Sequence, residues 1–375
     1  MRIEVTSEAF KKVLDRVDAV CPKNPTIFTL RWIRISAMTR NTIYVSACNC
    51  DSAATVSVDG DAVDTGEAVV DIDDAKKLCN TKGNIVIETK GNQLVARSDK
   101  KKSYVFLKDE TCLPEFPSVG TDNLASKADK KEMIESLLNV YRSAEKNSTN
   151  MMDGIHFAGD RIEALDGHRI AIKYVDWNSS DLNMTIPGYS IGELKKVSAN
   201  KEKDDVVQVF KNDKFARFEG SDFVYICRLL DGIFFDVKKV IGDWHEEFSI
   251  WVDAEEFTDV AKTYKKELKS DSNRGMYMHL SDDELSTVLL LPHYCTSDKL
   301  MINYIEGYIP QDFVIRIRPE YIADATEILD GIIKIEFKDR VSPRHIVDND
   351  YRFVILPVAM GDSDCEKVKE YLEIS

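Results

Sequence analysis

The chain has 375 residues, 43% of them hydrophobic and 31% charged, and a formal net charge of −15. That length can bury several cores, so two or three domains are expected. No apolar run approaches the roughly 20 residues a membrane-spanning helix needs, and the first ten residues alternate like a strand, so a cytoplasmic protein with no membrane partner is expected. Net acidity argues at first against a nucleic-acid partner, because phosphate binding needs clustered Lys and Arg. The acidity is uneven: residues 1 to 120 carry 17 basic and 17 acidic side chains, 121 to 245 carry 18 and 21, and 246 to 375 carry 15 and 27. Different surfaces are therefore expected to face different partners.

Taken in chain order, the elements repeat in pattern, though not in residue identity. A strand-like start leads into an amphipathic helix carrying Phe10, Val13, Leu14 and Val17. A strand over Thr42 to Ala47, a second helix over Asp71 to Asn80 and a strand over Ile85 to Thr89 follow. The cycle restarts with a helix carrying Met133, Ile134, Leu137, Leu138 and Tyr141. Its second helix is expected over Tyr189 to Ser198, with strands over Val206 to Phe210, Phe215 to Phe218 and Phe223 to Arg228. A third cycle opens with Phe257, Val260, Ala261, Tyr264 and Leu268, then a strand over Thr287 to Leu291, a helix over Pro319 to Leu329 and a strand over Ile332 to Phe337. The helical stripes follow the i, i+3, i+4, i+7 spacing of one buried face. The reading is an α+β protein of three repeated domains, 1–120, 121–245 and 246–375, each with two helices packed on antiparallel sheets. Linkers are expected near 118–126 and 241–248, and a C-terminal extension from about 361.

Five of the six helices carry a lysine pair: Lys11-Lys12, Lys76-Lys77, Lys130-Lys131, Lys195-Lys196 and Lys265-Lys266. Neighbouring helix positions lie about 100° apart, so at least one of each pair faces away from the buried stripe. Each pair alone reads as a solvated face. Gathered from three repeats, they would form one surface attracting a polyanion without reading bases. The sixth helix, with Glu320, Asp324, Glu327 and Asp330, is acidic and leaves that surface incomplete. The eight cysteines show no CxxC pair, and Cys48-x-Cys50, placed on one face of a strand, reads as buried thiols or a metal site.

Leu165-Asp166-Gly167-His168-Arg169-Ile170-Ala171-Ile172 has a distant counterpart in Tyr351-Arg352-Phe353-Val354-Ile355-Leu356-Pro357-Val358. With Asn24-Pro25-Thr26, Asn150-Met151-Met152-Asp153-Gly154-Ile155 and Leu229-Leu230-Asp231-Gly232, these stretches, in their order and spacing over the chain up to Met360, resemble the bacterial DNA polymerase sliding clamp, the β subunit. The resemblance implies a head-to-tail homodimer closed as a ring around duplex DNA, held by topology and without sequence preference. It implies docking of the polymerase and of clamp-loader subunits through short hydrophobic peptides. Positions matching the family's peptide pocket are Met152, Leu165, Gly167, His168, Arg169, Ile170, Phe235, Val240, Tyr321, Val341, Val354, Leu356, Pro357, Val358 and Met360. The expected DNA-facing residues are Lys11, Lys12, Lys23, Lys76, Lys77, Arg142, Lys146 and Lys196. Phe106 and Leu268 are the candidates for the two sides of the dimer interface.

The resemblance implies no cofactor, no metal and no catalysis, and no P-loop, GxSxG or HExxH is present. Departures from the family include Asn24 and Asp73-Asp74 where basic residues are common, Phe235 in place of a proline and Asn273 in place of a bulky apolar residue. The extension from Gly361, with Val368, Tyr371 and Leu372 at helical spacing, is expected either to pack beside the pocket and modulate access or to fray in solvent. The alternative function is a clamp-fold adaptor that binds partner peptides without encircling DNA.

Overall fold

The structure is a computed structural model describing residues 1–374 except 147–149, 201–205, 243, 269–274, 282–283, 292 and 312. Among the described residues there are eight α-helices: α1 (Ser7–Val17), α2 (Ile72–Leu78), α3 (Lys130–Tyr141), α4 (Gly188–Val197), α5 (Val237–Gly242), α6 (Ala254–Glu267), α7 (Pro319–Thr326) and α8 (Asp362–Ile374). The chain divides into two compact units, one of Met1–Leu137 with Trp177–Asp231, the other of Leu138–Asp176 with Gly232–Ser375.

The expected strand-then-helix repeat is present. Strands Arg2–Thr6, Leu124–Asp129 and Phe248–Asp253 run directly into α1, α3 and α6, and strands Gly66–Asp71, Asn183–Pro187 and Phe313–Ile317 run into α2, α4 and α7. The sequence carries the helix start signals. Thr6, Asp71 and Asp253 sit at N-caps, where their side chains accept N–H groups of the first turn, which satisfies donors that no carbonyl of the helix can reach. Pro319 occupies the start of α7, where its missing N–H costs nothing. The second helices are shorter than read from the sequence, since α2 ends at Leu78 and α7 at Thr326.

The first unit holds two antiparallel sheets. One has five strands, with Lys102–Phe106 at one edge and Asp61–Asp64 at the other. The other has eight, and its pairing of Ser52–Asp59 with Phe223–Arg228 joins the first third of the sequence to the second in one continuous ladder. Buried between elements of this unit, Arg16 on α1 grips Asp222 with two hydrogen bonds of 2.7 and 2.9 Å and donates a third, of 2.7 Å, to the Val197 carbonyl at the end of α4.

The second unit repeats the scheme. In its larger sheet, Arg169–Tyr174 pairs with Tyr351–Ile355 in the register Arg169↔Ile355 and Ile170↔Val354, so the two segments singled out as distant counterparts are neighbours. A four-stranded sheet runs in the order Tyr294–Met301, Glu284–Leu291, Met276–Leu280, Phe313–Ile317. The C-terminal extension forms the helix α8 rather than a frayed end. Cys365 and Val368 of α8 pack with Tyr277, Val288 and Val314 of that sheet, and Val368 is 0% exposed. Cys48 and Cys50 do not share a face: the strand stops at Cys48, which is buried, and Cys50 is exposed in the following turn at φ 78°.

Candidate functional site

The second unit carries an apolar groove of about 250 Å3. Its floor is a cluster of buried side chains, Leu165, Ile170, Ile172, Phe234, Val237 and Val354, with Met151, Met152, Val240 and Ile241 packed on it. Three segments far apart in sequence build it. The hairpin joining Arg161–Leu165 to Arg169–Tyr174 supplies Leu165 and Ile170, which face each other across the ladder. Phe235 and Val240 come from α5 and the residues before it, and Val354 and Leu356 from the last strand and the residue after it.

The hairpin turn is held by its own residues. Asp166 accepts the N–H groups of His168 (3.0 Å) and Arg169 (3.1 Å), and Gly167 takes φ 80°, a conformation that favours glycine. Arg169 fixes the turn to the rest of the unit. Its guanidinium donates to Asp166 at 3.0 Å, to Asp324 on α7 at 2.7 Å and to the Arg142 carbonyl at 2.7 Å, and lies 4.4 Å from the centre of the Tyr321 ring. The His168 carbonyl accepts the Leu356 N–H at 2.9 Å, which ties the turn to the opposite wall. Burial, with Asp166 nearby, raises the Tyr321 hydroxyl above its usual range. The result is an apolar trough with backbone polar groups and His168 at its rim, able to take large apolar side chains at about 1.5–3 kcal/mol each when fully buried.

Ten of the fifteen residues expected at the pocket line this groove: Met152, Leu165, Gly167, His168, Arg169, Ile170, Phe235, Val240, Val354 and Leu356. The other five do not. Tyr321 is buried beneath Arg169, and Val341 is 82% exposed in a turn capped by Asp339. Pro357 and Val358 follow the groove wall, and Met360 packs into the cluster around α8. Pro343 lines the groove and was missed, although Val341 two residues earlier pointed to the same loop. Asn273 lies outside the described residues.

Four of the eight expected DNA-facing cations are committed to carboxylates. Lys12 pairs with Glu8, Lys76 with Asp15 and Asp18, Lys77 with Asp74, and Arg142 with Glu327. Lys146 lies 5.8 Å from the centre of the Tyr141 ring. Lys11, Lys23 and Lys196 are exposed and form no ion pair among the described residues. The acidic α7 is the main cause in the second unit: Glu327 takes Arg142 and Lys262, and Asp324 takes Arg169 and Lys265. Hydrogen bonds from Lys262 and then Arg142 hold the Glu327 carboxyl down at about 2, against an ordinary 4.5. A lowered carboxyl stabilises the fold above its unfolded value and loses that contribution as pH falls from 4.5 towards 2. Glu327→Gln is therefore expected to cost about 0.5 kcal/mol at pH 7 after solvent screening. In thermal melts, its deficit against the parent should close as the pH is lowered through that window.

Of the two interface candidates, Phe106 is 56% exposed on the edge strand Lys102–Phe106. Leu268 is 2% exposed, so its side chain is spent in the core of its own unit and offers no surface.

Residues 128–236 match the family described as DNA polymerase III beta subunit, central domain. The beta sliding clamp of Staphylococcus aureus is 23% identical over 184 residues, 48% of this chain and 47% of that protein, so the match spans about half the length of this curated relative. The beta subunit of the Streptococcus pyogenes DNA polymerase superposes with a TM-score of 0.88 at 17% identity, covering 96% of this chain and 100% of that one. The chain has the fold of the bacterial DNA sliding clamps. A Pseudomonas aeruginosa sliding clamp solved bound to griselimycin superposes over the same shares with a TM-score of 0.85 at 18% identity. With 96% of 375 residues covered by clamps that are themselves matched in full, about 15 residues here (4% of 375) have no counterpart in them. The α+β class and the strand-helix repeats read from the sequence are those of the clamp fold.

Proposed function

We propose that this chain is a DNA sliding clamp: a non-catalytic processivity factor that closes as a head-to-tail homodimer around duplex DNA and tethers the replicative polymerase and clamp-loader subunits. Its three domains are 1–120, 121–245 and 246–375. The groove carries the reading. It assembles ten expected positions, from four stretches at 152, 165–170, 235–240 and 354–356, into one apolar trough of the kind that takes the anchor side chains of a short peptide. Griselimycin, the ligand of the Pseudomonas aeruginosa clamp, is the probe for it. Saturable binding is expected, weakened roughly tenfold by Phe235→Ser, since Phe235 is an exposed wall residue whose loss spares the core. A folded protein that binds no griselimycin contradicts the groove reading.

Ring closure is supported by two open sheet edges. Lys102–Phe106 exposes Tyr104 and Phe106, and Tyr294–Met301 exposes Tyr294 and Met301, the last 70% exposed. An open edge bearing large apolar side chains is a template for another strand, and the pairing of two different edges in a head-to-tail contact must close to avoid a filament. The interface is thus assigned to these two strands, with Phe106 retained from the sequence reading and Leu268 replaced by Tyr294 and Met301.

One observation favours the adaptor as the second reading, namely the neutralisation of Lys12, Lys76, Lys77 and Arg142 within the protein. A ring tolerates this because topology, not phosphate contact, retains the DNA. Its affinity for linear duplex is expected to be weak and to vary little with salt, since few phosphates are neutralised.

A further inference from the structure

We propose that the C-terminal helix positions one wall of the ligand groove, with Met360 and Val368 as positioning residues. The inference rests on the groove reading and names what holds that site in shape. The chain leaves strand Tyr351–Ile355 at Leu356, which lines the groove and is 41% exposed, so its own burial holds it only in part. From there a strap of four residues runs to Met360. Its first end is tied by the Leu356 N–H to the His168 carbonyl at 2.9 Å, and its middle by the Val358 N–H to the Arg316 carbonyl at 2.8 Å. Its far end is held by side chains: Met360 packs into the cluster in which Cys365 and Val368 of α8 meet Tyr277, Val288 and Val314. The helix start is locked to the strap, because the Gly361 N–H donates to the Asp364 carboxylate at 3.1 Å and the Asp364 N–H donates to the Gly361 carbonyl at 3.0 Å.

Without α8, the cluster that holds Met360 loses Cys365, Val368, Tyr371 and Leu372, and the strap becomes a chain end, the kind of segment that frays. Leu356 then holds its groove position for only a fraction of the time, and apparent affinity falls by that fraction. α8 contributes no residue to the groove itself, so its effect is on the population of the binding-competent wall and not on contacts with the ligand.

The test is a griselimycin titration of the full chain, of Val368→Asp and of a truncation after Met360, held well below their melting temperatures. Amide exchange of Leu356 and Val358 is followed in parallel. The expected result is a dissociation constant raised about tenfold in both variants, through slower apparent association, because a smaller fraction of the protein holds the binding-competent wall. Leu356 and Val358 should exchange faster, while Ile170 and Val354 in the adjoining ladder stay protected. Unchanged affinity and unchanged exchange overturn the proposal. If the parent binds no griselimycin, the groove reading fails, and the exchange measurement alone decides whether α8 holds the strap. Should Val368→Asp not fold, Tyr371→Ala trims a half-buried member of the same cluster and is expected to give the same signs at smaller size.

Discussion

Arg169→Ala is expected to lower the unfolding free energy by about 3–5 kcal/mol, the range for removing one partner of a buried pair, and to weaken griselimycin binding roughly a hundredfold. The guanidinium is largely buried, with 10% of the side chain exposed, and serves Asp166, Asp324 and the Arg142 carbonyl together while lying over Tyr321. Its removal takes the guanidinium from two carboxylates, leaving Asp166 only the N–H groups of its turn and Asp324 only Lys265 at 3.6 Å, and it loosens the Asp166 to Arg169 turn that presents Gly167 and His168 to the groove. Arg169→Lys is not expected to rescue, since an ammonium cannot reproduce the fork that reaches three acceptors in different directions. Denaturant unfolding and ligand titration check the two effects separately. Near-parental values in both would mean that the turn is held by Asp166 and Gly167 alone.

The double variant Tyr104→Glu, Phe106→Glu is expected to convert a dimer of about 85 kDa, twice the 42.6 kDa protomer, into monomers in sedimentation velocity. Positions two apart on a strand share a face, and the two rings touch edge to face at 5.9 Å, so two glutamates would put like charge where the second copy must pair. The fold itself should survive, because both side chains are more than half exposed. Met301→Glu on the opposite edge should act in the same direction. A dimer that persists through all three substitutions would place the interface elsewhere.

Much of this was legible in the sequence because it is written locally. The apolar stripes of α1, with Phe10, Val13, Leu14 and Val17, and of α6, with Phe257, Ala261 and Tyr264, each declare themselves within a few residues. The joining of 165–172 to 351–358 was legible only as a likeness between distant segments, and the ladder explains it. What escaped depends on packing. Leu268 lies in the buried stripe that the helical spacing marks, and its 2% exposure fits that stripe and not the interface role. Met360 read as groove through the family resemblance, whereas it packs into the cluster around α8. Lysine pairs declared a basic surface; Glu8 four residues before Lys12 and Asp74 three before Lys77 were legible as partners on the same helix, whereas the pairing of Lys76 with Asp15 and Asp18 depends on how separate elements pack.

The most direct measurement is retention on circular DNA. The protein is loaded onto nicked circular plasmid with a clamp loader and ATP, then passed through a sizing column before and after the plasmid is cut once. A sliding clamp is expected to elute with the circle and to be lost from the linear form, because only topology holds it. Failure to elute with the circle, while griselimycin still binds, would contradict encirclement and establish the adaptor. Equal retention on circle and linear DNA would instead show ordinary affinity for the duplex.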